Sequence, residues 1–217
     1  MSFPFSFWKP NPLSIPGLIQ WYDAAVVASG TNNAIDRSGA GRTGTNANVS
    51  IVAGVTASGL PGFRFNGTTS RFTYTSITST TNFSAFAFLK CPDAATAAGL
   101  IAWINGAATR QIVCGLAGPK IICFDGTNLP ASNVLDDFTN FSLVGVVCTG
   151  GNCVFYQNGV NIGSGGAAVA SMAVTNFGAA TSFFSAFDCT ELVFYTAALT
   201  AAQISLLTEY FRAKSPF

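Results

Sequence analysis

The chain has 217 residues, of which 49% are hydrophobic, 13% aromatic and only 9% charged, with a formal net charge of +1. Soluble domains carry roughly a quarter charged residues, so this surface is short of the ions that keep proteins apart; it reads as partly covered in the working state, or as a neutral Ser/Thr/Asn surface over a large core. The ten Lys and Arg are scattered without a basic stripe, which leaves no electrostatic footprint for nucleic acid, and Gly, Ser, Thr and Asn interrupt every apolar segment before the ~18 residues a membrane span needs.

Residues 1–16 read as an extended arm. Phe3, Phe5 and Phe7 alternate with Ser2, Pro4 and Ser6, and Trp8 follows. Pro4, Pro10, Pro12 and Pro16 exclude helix and weaken any central strand. Such an arm either covers its own domain or docks on a neighbouring subunit. One domain, 17–217, follows without a visible linker.

It opens with a strand near 17–25, GLIQWYDAA, and a Gly-rich turn region at 35–45. Further strands are expected near 49–52, 62–66, 71–76, 84–90, 99–104, 110–114 and 120–124. The last set lies near 141–148, 153–157, 161–163, 175–179 and 189–195. Turn signals recur at the short spacing of an antiparallel sandwich. The strongest is Gly150-Gly151 between two apolar runs, since both positions of a two-residue loop can then take positive φ. Asn158-Gly159 is a second. One helix closes the chain: Thr200 and Gln203 have capping-box spacing, Ile204, Leu207 and Phe211 recur at helical spacing, and Pro216 lies beyond.

The six cysteines are Cys91, Cys114, Cys123, Cys148, Cys153 and Cys189, with no CxxC pair to suggest a metal or thioredoxin-type motif. Counting outward from Gly150-Gly151 sets Cys148 opposite Cys153. Counting from Gly118-Pro119 sets Cys114 opposite Cys123, although Pro119 could force a longer loop. Both pairs are disulfide candidates at the close approach of non-hydrogen-bonded positions; the alternative is six small buried apolar residues. Disulfides imply an oxidising medium, yet Met1–Trp8 lacks the charged and apolar regions of a secretory signal. A protein made in a cytoplasm that works outside the cell reconciles the two.

Histidine is absent, which removes Ser-His and Cys-His nucleophiles and the usual zinc sites. Glu191 and Glu209 are the only glutamates, and the adjacent Asp136 and Asp137 do not share a strand face. No paired-carboxylate pattern of a glycosidase is present, so the expectation is a non-catalytic protein with no cofactor.

Several phrases, in order, resemble the concanavalin A-like lectin/glucanase superfamily in its laminin-G-like form. They are IPGLIQWYDAA (15–25), DRSGAGR (36–42), GLPGFRFNGTTSRF (59–72), the hairpin at 141–165 with Tyr156, Asn158 and Gly159, and the closing segment 187–214 with Glu191, Tyr195 and Leu199. The resemblance covers about residues 16–214 and implies an all-β, two-sheet antiparallel jelly roll with one C-terminal helix. It carries fold and not activity: glucanase relatives need a carboxylate cluster that this sequence lacks. Calcium-binding relatives use loop oxygens; Asp23, Asp36, Asp125 and Asn158 could supply them, and turn formation explains the same residues.

Two binding roles are expected. In the first, the chain is a structural or interaction protein on a virion, such as a bacteriophage capsid decoration or fibre component. It would form a homo-oligomer, with a trimer as one closed form, and meet other particle proteins through Phe3, Phe5, Phe7 and Trp8. In the second, it is a lectin-like module that binds surface glycans, with Trp103 beside Asn105 as the platform. Trp21 is expected to be core, and a core role is the alternative for Trp103 too.

Overall fold

The computed structural model describes residues 11–90, 98–105, 111–116, 120–125, 127, 131, 139–165, 168–169, 171–180, 183–184 and 186–217. In chain order these form a 3₁₀ turn (Pro12–Ser14) and strands β1 (Leu18–Asp23), β2 (Thr45–Ala47), β3 (Ser50–Val52), β4 (Gly62–Asn66), β5 (Arg71–Thr78), β6 (Phe83–Lys90), β7 (Ala98–Ile104) and β8 (Gln111–Leu116). They continue with β9 (Ile121–Phe124), β10 (Ser142–Thr149), β11 (Asn152–Gln157), β12 (Val160–Ser164), β13 (Ala173–Phe177), β14 (Ala179–Ala180), β15 (Phe183–Phe184), β16 (Ala186–Tyr195) and helix α1 (Ala201–Lys214). No helix among them is long and apolar enough to cross a membrane.

Two antiparallel sheets make a sandwich. The larger runs β12-β11-β10-β6-β16-β4-β3, with β1 also paired to β16; the smaller runs β2-β5-β13-β7-β8-β9. Strand β6 shows why the sequence is so apolar. Phe83, Ala85, Ala87 and Leu89 face the opposite sheet, whereas Phe86 and Phe88 face outward into a second core beneath α1. Both faces are covered, so FSAFAFLK has no need of polar alternation. Gly145 on β10 lets Phe86 cross close by, since a Cβ there would sit 2.1 Å from its ring.

Both Gly-containing turns have the backbone that their residues allow. Gly150 and Gly151 take φ of 55° and 84°, Asn158 and Gly159 take 54° and 82°, as two-residue hairpin loops require. Cys148 lies opposite Cys153, and the two are joined by a disulfide with Cα atoms 4.1 Å apart. The other expected pair needs correction. Cys114 lies opposite Ile121, and Cys123 opposite Ile112. The β8–β9 register is thus shifted by two residues from the one counted outward from Gly118-Pro119, a turn that lies outside the described residues.

The helix starts as its residues suggest. The Thr200 side chain accepts the Gln203 N–H, and Gln203 Oε1 accepts the Thr200 N–H at 2.8 Å. Ile204, Leu207 and Phe211 bury against the outer face of the larger sheet. Arg212 and Lys214 lie in the last turn, where cations suit the helix dipole. Residues 11–16, assigned to the arm from sequence, reach this face too: Ile15 is buried in the outer core, and the Tyr195 hydroxyl donates to the Pro12 carbonyl at 3.4 Å. Phe3, Phe5, Phe7 and Trp8 lie outside the described residues.

Three local expectations also shift. Strand β2 falls at the end of the stretch read as turn, where Thr45 pairs with Thr73. Strand β13 begins at Ala173 and stops before Gly178, whose φ is +105° and whose Cβ position is taken by the Phe65 ring. The ribbon β14–β15 is too short to leave a periodic signal.

Candidate functional site

The buried carboxylates come first, because they would carry any hydrolytic chemistry. A bulge in β16 between Cys189 and Glu191 reverses the side-chain alternation. Cys189 therefore joins the inter-sheet core, and Glu191 turns outward beneath α1. There Glu191 Oε1 accepts the Trp21 indole N–H at 2.5 Å and the Tyr210 hydroxyl at 2.6 Å. Its Oε2 meets the Lys214 ammonium at 2.5 Å, and that ammonium also reaches Asp23 Oδ2 at 2.8 Å. Arg37 pairs with the same Asp23 oxygen at 2.7 Å and stacks on Trp21, 3.9 Å from the ring centroid.

Burial pushes the Glu191 carboxyl above its ordinary value, and the Lys214 charge pulls against that. Burial pulls Lys214 down, but the Glu191 and Asp23 carboxylates outweigh it and hold the ammonium above the usual lysine value. Glu191 is 1% exposed and all its named partners are protein groups. The network clamps the last turn of α1 to β1 and β16. It presents no acidic pair to solvent. In the sequence, Glu191 stood out as one of two glutamates in a matching phrase, but nothing local pointed to its partner Lys214.

Of the residues proposed for glycan contact, the structure buries the tryptophan. Trp103 is 2% exposed and sits between the sheets. Its indole N–H donates to the buried Gln20 Oε1 at 2.9 Å, and its ring meets Phe177 and Phe194 edge-on at 5.2 and 6.0 Å. A buried glutamine satisfies the one polar atom of the indole, so Trp103 is a core residue and not a platform. Asn105 is half-buried just beyond the end of β7.

The loop oxygens are likewise occupied by their own backbone. Asp36 accepts the Trp21, Ser38 and Arg42 N–H groups, Asp125 accepts that of Thr127, and Asn158 Oδ1 accepts that of Leu143 at 2.9 Å. The Asp36–Ser38 and Asp125–Thr127 contacts are turn-forming, whereas Asp36 on Trp21 and Asn158 on Leu143 each tie segments 15 residues apart.

One cleft does combine apolar and polar groups. It has a volume of about 660 Å³ and opens at the end of the larger sheet where β6 stops, β10 begins and β11 turns into β12. Phe141 and Phe217 are its aromatic lining, and Val160 and Ile162 add aliphatic groups. Both rings are half-buried and both pack on Phe88 with centroids 5.2 Å apart. Thr56, Asn140, Asn158 and Ser215 are among its polar lining residues. Lys90 is the cation at this cleft, and it is engaged: its ammonium lies 3.8 Å from Asp188 and 5.1 Å from the Phe141 centroid. No Asp or Glu lines the cleft among the described residues. The sequence reading missed this site because its walls come from five separate segments.

Similar architecture occurs in several solved structures. Domain 4 of the GH43 extracellular arabinanase AbnA from Geobacillus stearothermophilus, in complex with arabinotriose, superposes with a TM-score of 0.66 at 17% identity, over 88% of this chain and 98% of that one. Trypanosoma rangeli sialidase in complex with sialic acid gives 0.63 at 14% identity, over 94% of this chain and 34% of the sialidase. The botulinum neurotoxin type G receptor binding domain gives 0.60 at 16% identity, over 89% of this chain and 51% of that one. The fold is concanavalin A-like. This chain thus spans about a third of the sialidase and half of the neurotoxin structure, and nearly all of the arabinanase domain. No protein-family model and no curated protein matches the sequence. At these identities the likeness establishes the concanavalin A-like sandwich and nothing finer.

Proposed function

We propose that this protein is a non-catalytic carbohydrate-binding module whose ligand is a neutral oligosaccharide held in the Phe141–Phe217 cleft. The observation that carries the reading is the composition of that concavity: two half-buried rings beside amide- and hydroxyl-bearing residues, with the one cation among its described lining residues already engaged. A pyranose or furanose unit has an apolar C–H face and a rim of hydroxyls. The rings match the first, and the amides and hydroxyls match the second. The volume lies within the range of small-ligand sites. A phosphate or carboxylate ligand would want an unengaged Arg or Lys fork, which the lining does not offer.

The concanavalin A-like domains of the arabinanase and the neurotoxin, one in complex with arabinotriose and the other a receptor binding domain, support a binding role over a catalytic one. So does the Asp23–Glu191 pair, which is committed to Lys214 under the helix. Phe3, Phe5, Phe7 and Trp8, through which a particle-surface role would dock, lie outside the described residues, and the cleft favours the glycan reading.

The test is a glycan array followed by calorimetry on the best neutral hits, with arabinotriose included from the start. Binding of at least one neutral oligosaccharide is expected, lost by more than about tenfold in Phe141→Ala, with affinity flat from about pH 5 to 8 because no carboxylate or histidine takes part. An array with no hits, or hits insensitive to Phe141, would reject the reading.

A further inference from the structure

The inter-sheet core contains a sulfur cluster that neither the helix clamp nor the cleft uses. Cys148 and Cys153 face inward from β10 and β11, and Cys123 faces inward from β9 of the other sheet. Their three Sγ atoms lie within 4.8 Å of one another. Met172, just ahead of β13, brings its Sδ to 3.9 Å from the Cys123 Sγ. All four residues are fully buried. A single buried cysteine is only a small apolar residue. Four sulfurs converging from four segments and two sheets are a different matter, because thiolates and thioethers in one dry spot are the donor set that soft cations select.

We propose that, once the Cys148–Cys153 disulfide is reduced, Cys123, Cys148 and Cys153 form a three-thiolate site for a thiophilic cation of the copper(I) class, with the Met172 thioether beside it. The step balances. An external dithiol or phosphine delivers two electrons to the disulfide and leaves two thiols; the metal then displaces up to three protons to solvent and stays in its +1 state. In the oxidised chain two of the three sulfurs are bonded to each other, so the site is closed. Because thiols must give up their protons to bind the metal, uptake strengthens as pH rises. The same spot then carries two alternative ties. In an oxidising medium a disulfide closes one hairpin; in a reducing one a metal joins β9 to β10 and β11 across the sandwich.

The experiment uses the full chain, reduced with a phosphine that is then removed under nitrogen, and titrated with copper(I) against a chromophoric copper(I) chelator. To silence other thiols the background carries Cys91→Ser and Cys114→Ser. One equivalent of copper, a thiolate-to-copper absorption band and a rise in melting temperature are expected from the reduced chain, and none of these from the oxidised chain. Cys123→Ala should weaken binding by more than about tenfold, whereas Cys189→Ala, buried elsewhere in the core, should leave it unchanged. X-ray absorption of the loaded parent chain should report a three-sulfur shell, which keeps the test decisive if Cys123→Ala folds poorly. Equal binding with and without Cys123, dependence on Cys189, or a nitrogen and oxygen shell would overturn the proposal. Migration of the disulfide onto Cys123 with no copper uptake would do the same.

Discussion

The outer face of the larger sheet is closed at one end and open at the other, although the same C-terminal segment serves both. At the closed end Lys214 ties Glu191 and Asp23, and the buried Glu191 carboxylate finds its partners among protein groups. Three residues later Phe217 leans on Phe88 and leaves a ring on the wall of a cleft. The contrast shows what residue type alone does not reveal. The carboxylates look like chemistry and act as a fastening, whereas two phenylalanines that look like core form the surface suited to a ligand.

Substitutions can separate these regions, and the largest effect is expected inside the sandwich. Trp103→Ala should cost about 4 kcal/mol in chemical denaturation, the usual scale for deleting a buried tryptophan, with saccharide affinity at low temperature unchanged. If it removed binding from a folded chain, the assignment of Trp103 to the core alone would fail.

Lys214→Ala should come next, at about 3 kcal/mol near pH 7, because it strands Glu191 without its counter-charge. The pH dependence has a definite sign. The folded state holds the Glu191 proton more tightly than the unfolded state, so ionisation of Glu191 opposes folding as pH rises above its ordinary 4.5. Without Lys214 that loss deepens, and the variant should recover part of its stability on acidification toward pH 5. In the parent chain the Lys214 contribution is fully present below the ordinary lysine value of 10.5 and fades as pH rises through its higher folded value. Melting curves from pH 5 to 11 for both chains check this; parallel profiles would mean the network is solvated and not a clamp.

Gly145→Ala should cost about 2 kcal/mol by forcing Phe86 off β10, and its helix-side core should loosen before the inter-sheet core does. The smallest stability effect, about 1 kcal/mol, is expected for Phe217→Ala, whose ring is half-buried. Its effect on saccharide affinity should nevertheless match that of Phe141→Ala.

Much of the fold was legible because it is written locally. Alternation in β4 (GFRFN) and the Thr200–Gln203 box each mark an element within a few residues, and Gly150-Gly151 fixes the register that sets Cys148 against Cys153. The Cys114–Cys123 expectation failed because the β8–β9 register is shifted by two residues from the count outward from Gly118-Pro119. The site was far less legible. Trp103 follows the same apolar pattern whether it faces Gln20 or solvent, and the bulge that turns Glu191 outward leaves no sequence mark. Phe141 and Phe217 meet through Phe88, which lies 53 and 129 positions from them, beyond any local period.

The most direct measurement of the central claim is an amide chemical-shift map of the ¹⁵N-labelled protein titrated with its best neutral oligosaccharide. The account predicts saturable shifts concentrated at residues 139–142, 157–162 and 215–217, with β7 and the Glu191 network still. Shifts centred on 103–105, or none at saturating sugar, would contradict it.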